Sequence, residues 1–185
     1  MGFRLLLLFM LLVSGPALAQ GRADPRTAEL DQLFAALQVA PNEQAAAMVE
    51  AKIRQAWLQA GSPAVLLLLN RGASDLEAGD TNGALDALDD ALVLAPDYPE
   101  AWLRRALAKF HAGDYRGAIR DVEATLQREP RHFAALQALS RIAEAQEDWK
   151  GAMAAWQKAL ELDPQTPHSQ ERLQMLRRKV FGEAT

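Results

Sequence analysis

Apolar side chains recur along most of this chain at intervals of three and four residues, the spacing of one face of an α-helix. Ala118, Ile119, Val122, Thr125 and Leu126 fall on one such face, and Leu30, Leu33, Phe34 and Leu37 on another. Short breaks divide these runs. Gly61-Ser62-Pro63 supplies a stop, a cap and a helix start, and Gly113 offers the left-handed position that closes a helix, with Asp114 placed to cap the next. Pro96, Pro130 and Pro164 each end a run, because proline cannot continue a helix. The pattern predicts short helices in antiparallel pairs.

The breaks are periodic. Pro96, Pro130 and Pro164 are 34 residues apart, and so are Asp80, Asp114 and Asp148, Gly83, Gly117 and Gly151, and Ala84, Ala118 and Ala152. Three units follow, 65–98, 99–132 and 133–166, each a helix–turn–helix. Gly72, Ala106 and Ser140 in the first helices, with Ala84, Ala118 and Ala152 in the second, allow the two backbones to approach closely. The repeated Asp-x-x-Gly is read as a helix start that tolerates glycine.

A 34-residue hairpin with Trp102, Ala106, Gly113-Asp114-Tyr115, Ala118, Val122 and Pro130 resembles the tetratricopeptide repeat. The third copy carries Leu136, Ser140, Asp148-Trp149, Ala152, Trp156, Ala159 and Pro164, and the first Leu68, Gly72, Gly79-Asp80, Ala84, Leu88, Ala91 and Pro96. The pattern departs at Asp75, Lys109 and Ala143, where an aromatic is usual, and at Thr125, where alanine is. The resemblance implies an all-α, right-handed solenoid whose first helices line a hollow that holds a peptide. Carried over by position, that lining is Leu69, Ala73 and Leu76, then Leu103, Arg104, Leu107, Phe110 and His111, then Gln137, Arg141 and Glu144. The lysine and asparagines with which some members clamp a C-terminal carboxylate are replaced by Leu69 and Ala73. Arg104 and Arg141 beside an apolar floor suit an amphipathic segment bearing an acid.

A stack of hairpins exposes apolar faces at its ends and needs caps. At the C-terminus, residues 167–181 read as a capping helix, with Thr166 as its cap, Pro167 in its first turn and Leu173, Leu176 and Val180 facing inward. The Arg177-Arg178-Lys179 cluster complements the dipole of that helix. Upstream, residues 27–61 form a further, non-repeat pair of helices divided at Pro41, with Met48, Ile53, Trp57 and Leu58 as the apolar residues of its second helix. Val65 to Leu69 is apolar on every side, so that helix is expected to be covered all round, with the upstream pair as the cover or filling part of the hollow.

The first 19 residues read as a secretory signal: a basic start at Arg4, an apolar run from Leu5 to Val13, and Ala17-Leu18-Ala19 before the cut. Residues 20–26 read as a flexible leader. Nine apolar residues are too few to span a bilayer, which takes about 20. The absence of cysteine and of any Asn-x-Ser/Thr site fits export to a bacterial periplasm.

Composition narrows the chemistry. There are 20 basic and 24 acidic residues, a balance unsuited to nucleic acid. With no cysteine, thiol catalysis and thiolate metal sites are excluded. His111, His132 and His168 lack a helically spaced partner and read as surface residues; Asp86, Asp89 and Asp90 read as a solvated acidic face. No phosphate loop or nucleophile elbow occurs. Neither a cofactor nor a metal is expected. The expected function is a non-enzymatic scaffold in the cell envelope that binds a protein or peptide partner. The alternatives are a subunit that self-associates through Met48 and Trp57, and a hydrolase built on a buried carboxylate–histidine pair.

Overall fold

The computed structural model describes residues 25–182; the signal segment 1–19 and most of the leader lie outside the described residues. Nine helices and no strand occur among the described residues: α1 (Pro25–Gln38), α2 (Glu43–Leu58), α3 (Pro63–Glu77), α4 (Thr81–Leu94), α5 (Pro99–His111), α6 (Tyr115–Arg128), α7 (Phe133–Ala145), α8 (Trp149–Leu162) and α9 (Ser169–Phe181). Pro25 and Arg26 already belong to α1 rather than to the leader.

The three repeats are the hairpins α3–α4, α5–α6 and α7–α8, packed side by side through α4 on α5 and α6 on α7, with α9 on α8. Small residues set the spacing inside each hairpin. Ala84, Ala106, Ala118, Ser140 and Ala152 are fully buried, and Gly72 passes so close to α4 that a Cβ there would lie 2.9 Å from Leu88 Cγ. Gly79 and Gly113 close α3 and α5 at φ near +79° and +78°, and Glu147 takes the left-handed place in the third copy. Each following helix is capped alike: Oδ1 of Asp80, Asp114 and Asp148 accepts the N–H of Gly83, Gly117 and Gly151 at 2.9, 2.8 and 2.9 Å. A Cβ on any of these glycines would run into the capping carboxylate, so the recurring Asp-x-x-Gly is one local capping device.

The middle hairpin is also pinned by charge. Asp121, 3% exposed, takes two hydrogen bonds from Arg105, at 2.8 and 2.9 Å, and an ion pair from Lys109 at 2.8 Å. Asp89 of the preceding hairpin pairs with the same Arg105 at 2.6 Å, so it does more than solvate a surface. The hydrogen bonds that Arg105 donates to Asp121 come first in holding it above its ordinary pKa. Trp102 lies between the guanidinium groups of Arg105 and Arg128, 4.8 and 4.9 Å from its ring. Thr125, fully buried, satisfies its hydroxyl on the Asp121 carbonyl at 2.9 Å, which makes it tolerable where alanine is usual.

The ends differ from expectation. Thr166 does not cap α9; its hydroxyl donates to the buried Asp163 carboxylate at 2.8 Å, and α9 begins two residues after Pro167. Leu173 and Leu176 are buried by α8, and Lys179 lies over the Trp149 ring at 4.9 Å. The upstream pair α1–α2 does not stack on α3 as a cover. It lies across the loops that join the repeats: Tyr98 donates to the Leu58 carbonyl at 3.3 Å, Arg131 pairs with Asp31 at 2.6 Å, and Gln38 donates to the Glu161 carbonyl at 2.6 Å. Its core joins Phe34, Leu37, Ile53 and Trp57 to Phe133 and Leu162. Leu67, in the run expected to be covered all round, is therefore 70% exposed.

Candidate functional site

The first helices of the repeats form one wall-to-wall surface, and a cavity of about 340 Å³ opens on it. Ala73 and Leu76 come from α3, Leu103 and Leu107 from α5, and Ala134 from α7; Arg54 and Leu58 of α2 close one side. The apolar residues stand at i and i+3 or i+4 on their helices, which places them on one face of each.

Polar groups gather on this floor. Arg104 Nε donates to Glu100 Oε1 at 2.9 Å, one helical turn apart. Glu100 Oε2 lies 3.5 Å from His132 Nε2. His132 is 1% exposed, so the reading of it as a surface residue is corrected: α2 folds over the inter-repeat loop and lays Trp57 against the imidazole, ring centroids 4.0 Å apart. Burial pushes the Glu100 carboxyl up, but His132 and Arg104 together outweigh it and hold the group below its ordinary value. The terminal nitrogens of Arg104 make no further bond among the described residues, and its side chain is 31% exposed. An apolar floor with one uncommitted cationic fork is suited to a chain segment with a large apolar side chain and a nearby carboxylate.

Five of the expected lining residues meet here: Ala73, Leu76, Leu103, Arg104 and Leu107. Leu69 does not; at 1% exposure it is locked into the core with Val65, Leu88 and Tyr98. Phe110 packs against Tyr115 at 5.7 Å and His111 is exposed, its Nδ1 2.7 Å from the Leu107 carbonyl, both beyond the cavity. On α7, Gln137 is half-buried and Arg141 exposed, and neither lines the cavity. Glu144 pairs with Arg172 of α9 at 3.1 Å. Arg54, Leu58, Glu100 and His132 were not expected. The one available signal was Glu100 and Arg104 at i and i+4 on a lining helix. No group of three or more potential metal ligands occurs among the described residues. Glu100 and His132 form a carboxylate–histidine pair on the cavity wall, with Glu100 Oε2 at 3.5 Å from His132 Nε2.

Residues 69–119 and 103–167 match the family model of the tetratricopeptide repeat. The chain belongs to the tetratricopeptide repeat family. A tetratricopeptide repeat-containing protein of Rhizobium etli is 36% identical over 156 residues, which cover 84% of this chain and 76% of that one. Among solved structures, the first tetratricopeptide domain of Spaghetti bound to an HSP90 peptide superposes with a TM-score of 0.61 at 19% identity, covering 65% of this chain and 98% of its own. MamA superposes over 86% of each chain, with a TM-score of 0.59 at 17% identity. These likenesses show the tetratricopeptide solenoid, and no helix among the described residues is long and apolar enough to cross a membrane.

Proposed function

We propose that this tetratricopeptide protein is a non-catalytic recruiting module that seats a segment of another protein in the cavity over Leu76, Leu103 and Leu107. A carboxylate of that segment lies against Arg104. The observation that carries this reading is the pairing of an apolar floor with an arginine whose terminal nitrogens are uncommitted. The peptide seen on the related Spaghetti domain supports the same use of the fold. Burying about 400 Å² of apolar surface yields roughly 10 kcal/mol gross, and association costs of about 4–15 kcal/mol remove most of it. At most about 6 kcal/mol remains, so binding of one segment is weak, about tens of micromolar at the tightest.

The place of action proposed is the envelope of a bacterium, on the strength of the Arg4, Leu5–Val13 and Ala17-Leu18-Ala19 series. N-terminal sequencing of protein recovered from cells tests it: a start at Gln20 supports export, and an intact Met1 opposes it. The binding reading is tested by selecting displayed peptides on the purified chain. Selected peptides should share a large apolar residue near an acid and lose affinity for Leu107→Glu and Arg104→Glu variants. Peptides that bind these variants unchanged overturn it.

A further inference from the structure

The repeat leaves one of its own contact surfaces uncovered. Ala101 on α5 and Ala135 on α7 are both fully buried beneath the second helix of the hairpin before. The equivalent residue on α3 is Leu67, 70% exposed. Ala108 and Ile142 are buried in the same way, and their equivalent Ser74 is exposed. Between them stands Arg71. Its counterpart Arg105 is 17% exposed, held by Asp89 of the preceding hairpin and by Asp121 of its own. Arg71 is 64% exposed, has Ala87 where Arg105 has Asp121, and among the described residues pairs with Asp75 of its own helix alone, at 3.5 Å. Leu67, Arg71 and Ser74 form a single stripe of α3.

Among the described residues no helix covers this stripe, because α1–α2 lies across the inter-repeat loops instead. At the other end of the stack, the outer face of α9 carries the polar residues Glu171, Gln174, Arg177 and Arg178, with Phe181 exposed at its last position. The α3 end has no such face. Val93 and Leu94, at the end of α4 that the antiparallel hairpin sets beside the start of α3, are 80% and 59% exposed.

We propose that this open end of the stack docks an amphipathic helix of a different protein, antiparallel to α3, with an acidic residue on Arg71 and an apolar residue three positions later on Leu67. The template is internal: α4 covers α5 with Asp89 on Arg105 and Leu92 in the same core as Ala101. A second copy of this chain does not supply that chemistry. Its helices of the α4 type are already covered, and the outer face of its free end helix, α9, sets two arginines, Arg177 and Arg178, against the single acid Glu171. The site is separate from the hollow, so either surface can fail without the other.

The probe is a peptide copying residues 81–98, stapled through its solvent-facing positions 82 and 86 so that it is helical when free. Titrated by fluorescence anisotropy into the full chain, it should bind saturably, and Leu67→Lys or Arg71→Glu should weaken it about tenfold or more. An Asp89→Lys peptide should regain affinity for the Arg71→Glu chain, and Leu107→Glu in the hollow should change nothing. Circular dichroism establishes that each variant is folded. Absence of saturable binding, or binding that Arg71→Glu and Leu67→Lys leave intact, overturns the proposal. Sedimentation showing a dimer that Leu67→Lys dissociates also overturns it, by making the occupant a second copy.

Discussion

The imidazole of His132 lies against the indole of Trp57, the ring planes 19° from parallel and the centroids 4.0 Å apart. Seventy-five residues separate them in the chain, and this contact joins the upstream hairpin to the joint between the second and third repeats. Trp57 also meets Phe34 at 6.1 Å and Phe133 at 5.4 Å, so one side chain gathers the aromatic part of the docked surface. It is 6% exposed and stacked inside the chain, which leaves its ring out of reach as a self-association contact.

Truncating Trp57 to alanine should cost about 3–5 kcal/mol, the usual loss for a buried large aromatic. Hydrogen exchange localises the effect. Amides of α1 and α2 should lose protection while those of α5 to α8 keep it. Uniform loss across all helices would show that the hairpin is part of one cooperative core.

Replacing Asp121 by alanine should destabilise the fold by about 3–5 kcal/mol, because it takes the buried carboxylate from Lys109 and leaves the largely buried Arg105 with the exposed Asp89 alone. Chemical denaturation measures this. A cost below about 1 kcal/mol, typical of an exposed ion pair, would contradict the account of the pinned hairpin.

Gly72→Ala tests the close approach of α3 and α4. Its Cβ would meet Leu88 Cγ at 2.9 Å and the Ala84 carbonyl oxygen at 3.3 Å. The expected result is a loss of about 1–3 kcal/mol despite the better helix propensity of alanine. A gain in denaturation midpoint would show that the helices part at no cost.

The repeats were legible because their signals are local. Asp80, Asp114 and Asp148 cap, Gly79 and Gly113 turn, and Ala84, Ala118 and Ala152 pack, each within one hairpin. Ala73, Leu76, Leu103 and Leu107 were placed on the hollow by their positions in the repeat that the chain resembles, and the regular hairpins keep those positions on it. The docking of α1–α2 depends instead on contacts such as Asp31–Arg131 and Gln38–Glu161, between residues 100 and 123 positions apart, which no periodicity encodes. His132 consequently read as surface, and Leu67 as covered. Leu69 failed differently: its phase is right, but at the first repeat Tyr98 and Leu88 enclose it.

Two carboxyls give opposite pH slopes. Glu100 is held below its ordinary value, so its contribution is complete above about 4.5, and is lost as pH falls through the lowered folded value. Glu50 is raised, by burial first and then by the neighbouring Asp163 carboxylate, against the pull of Arg54. It therefore penalises the folded state increasingly as pH rises from about 4.5 through its raised folded value. Denaturation midpoints measured from mildly acidic to neutral pH should fall less steeply with acid in Glu100→Gln, and be higher at neutral pH in Glu50→Gln. Identical profiles for all three proteins would contradict both assignments.

The hollow itself is tested most directly by methyl NMR. A peptide selected on the purified chain is titrated into protein labelled at its leucine methyl groups. The account predicts saturable shifts at Leu76, Leu103 and Leu107, together with Leu58 on the roof, and none at Leu67. Shifts confined to residues outside the cavity, or an unchanged response when Leu107 is replaced by glutamate, would contradict it.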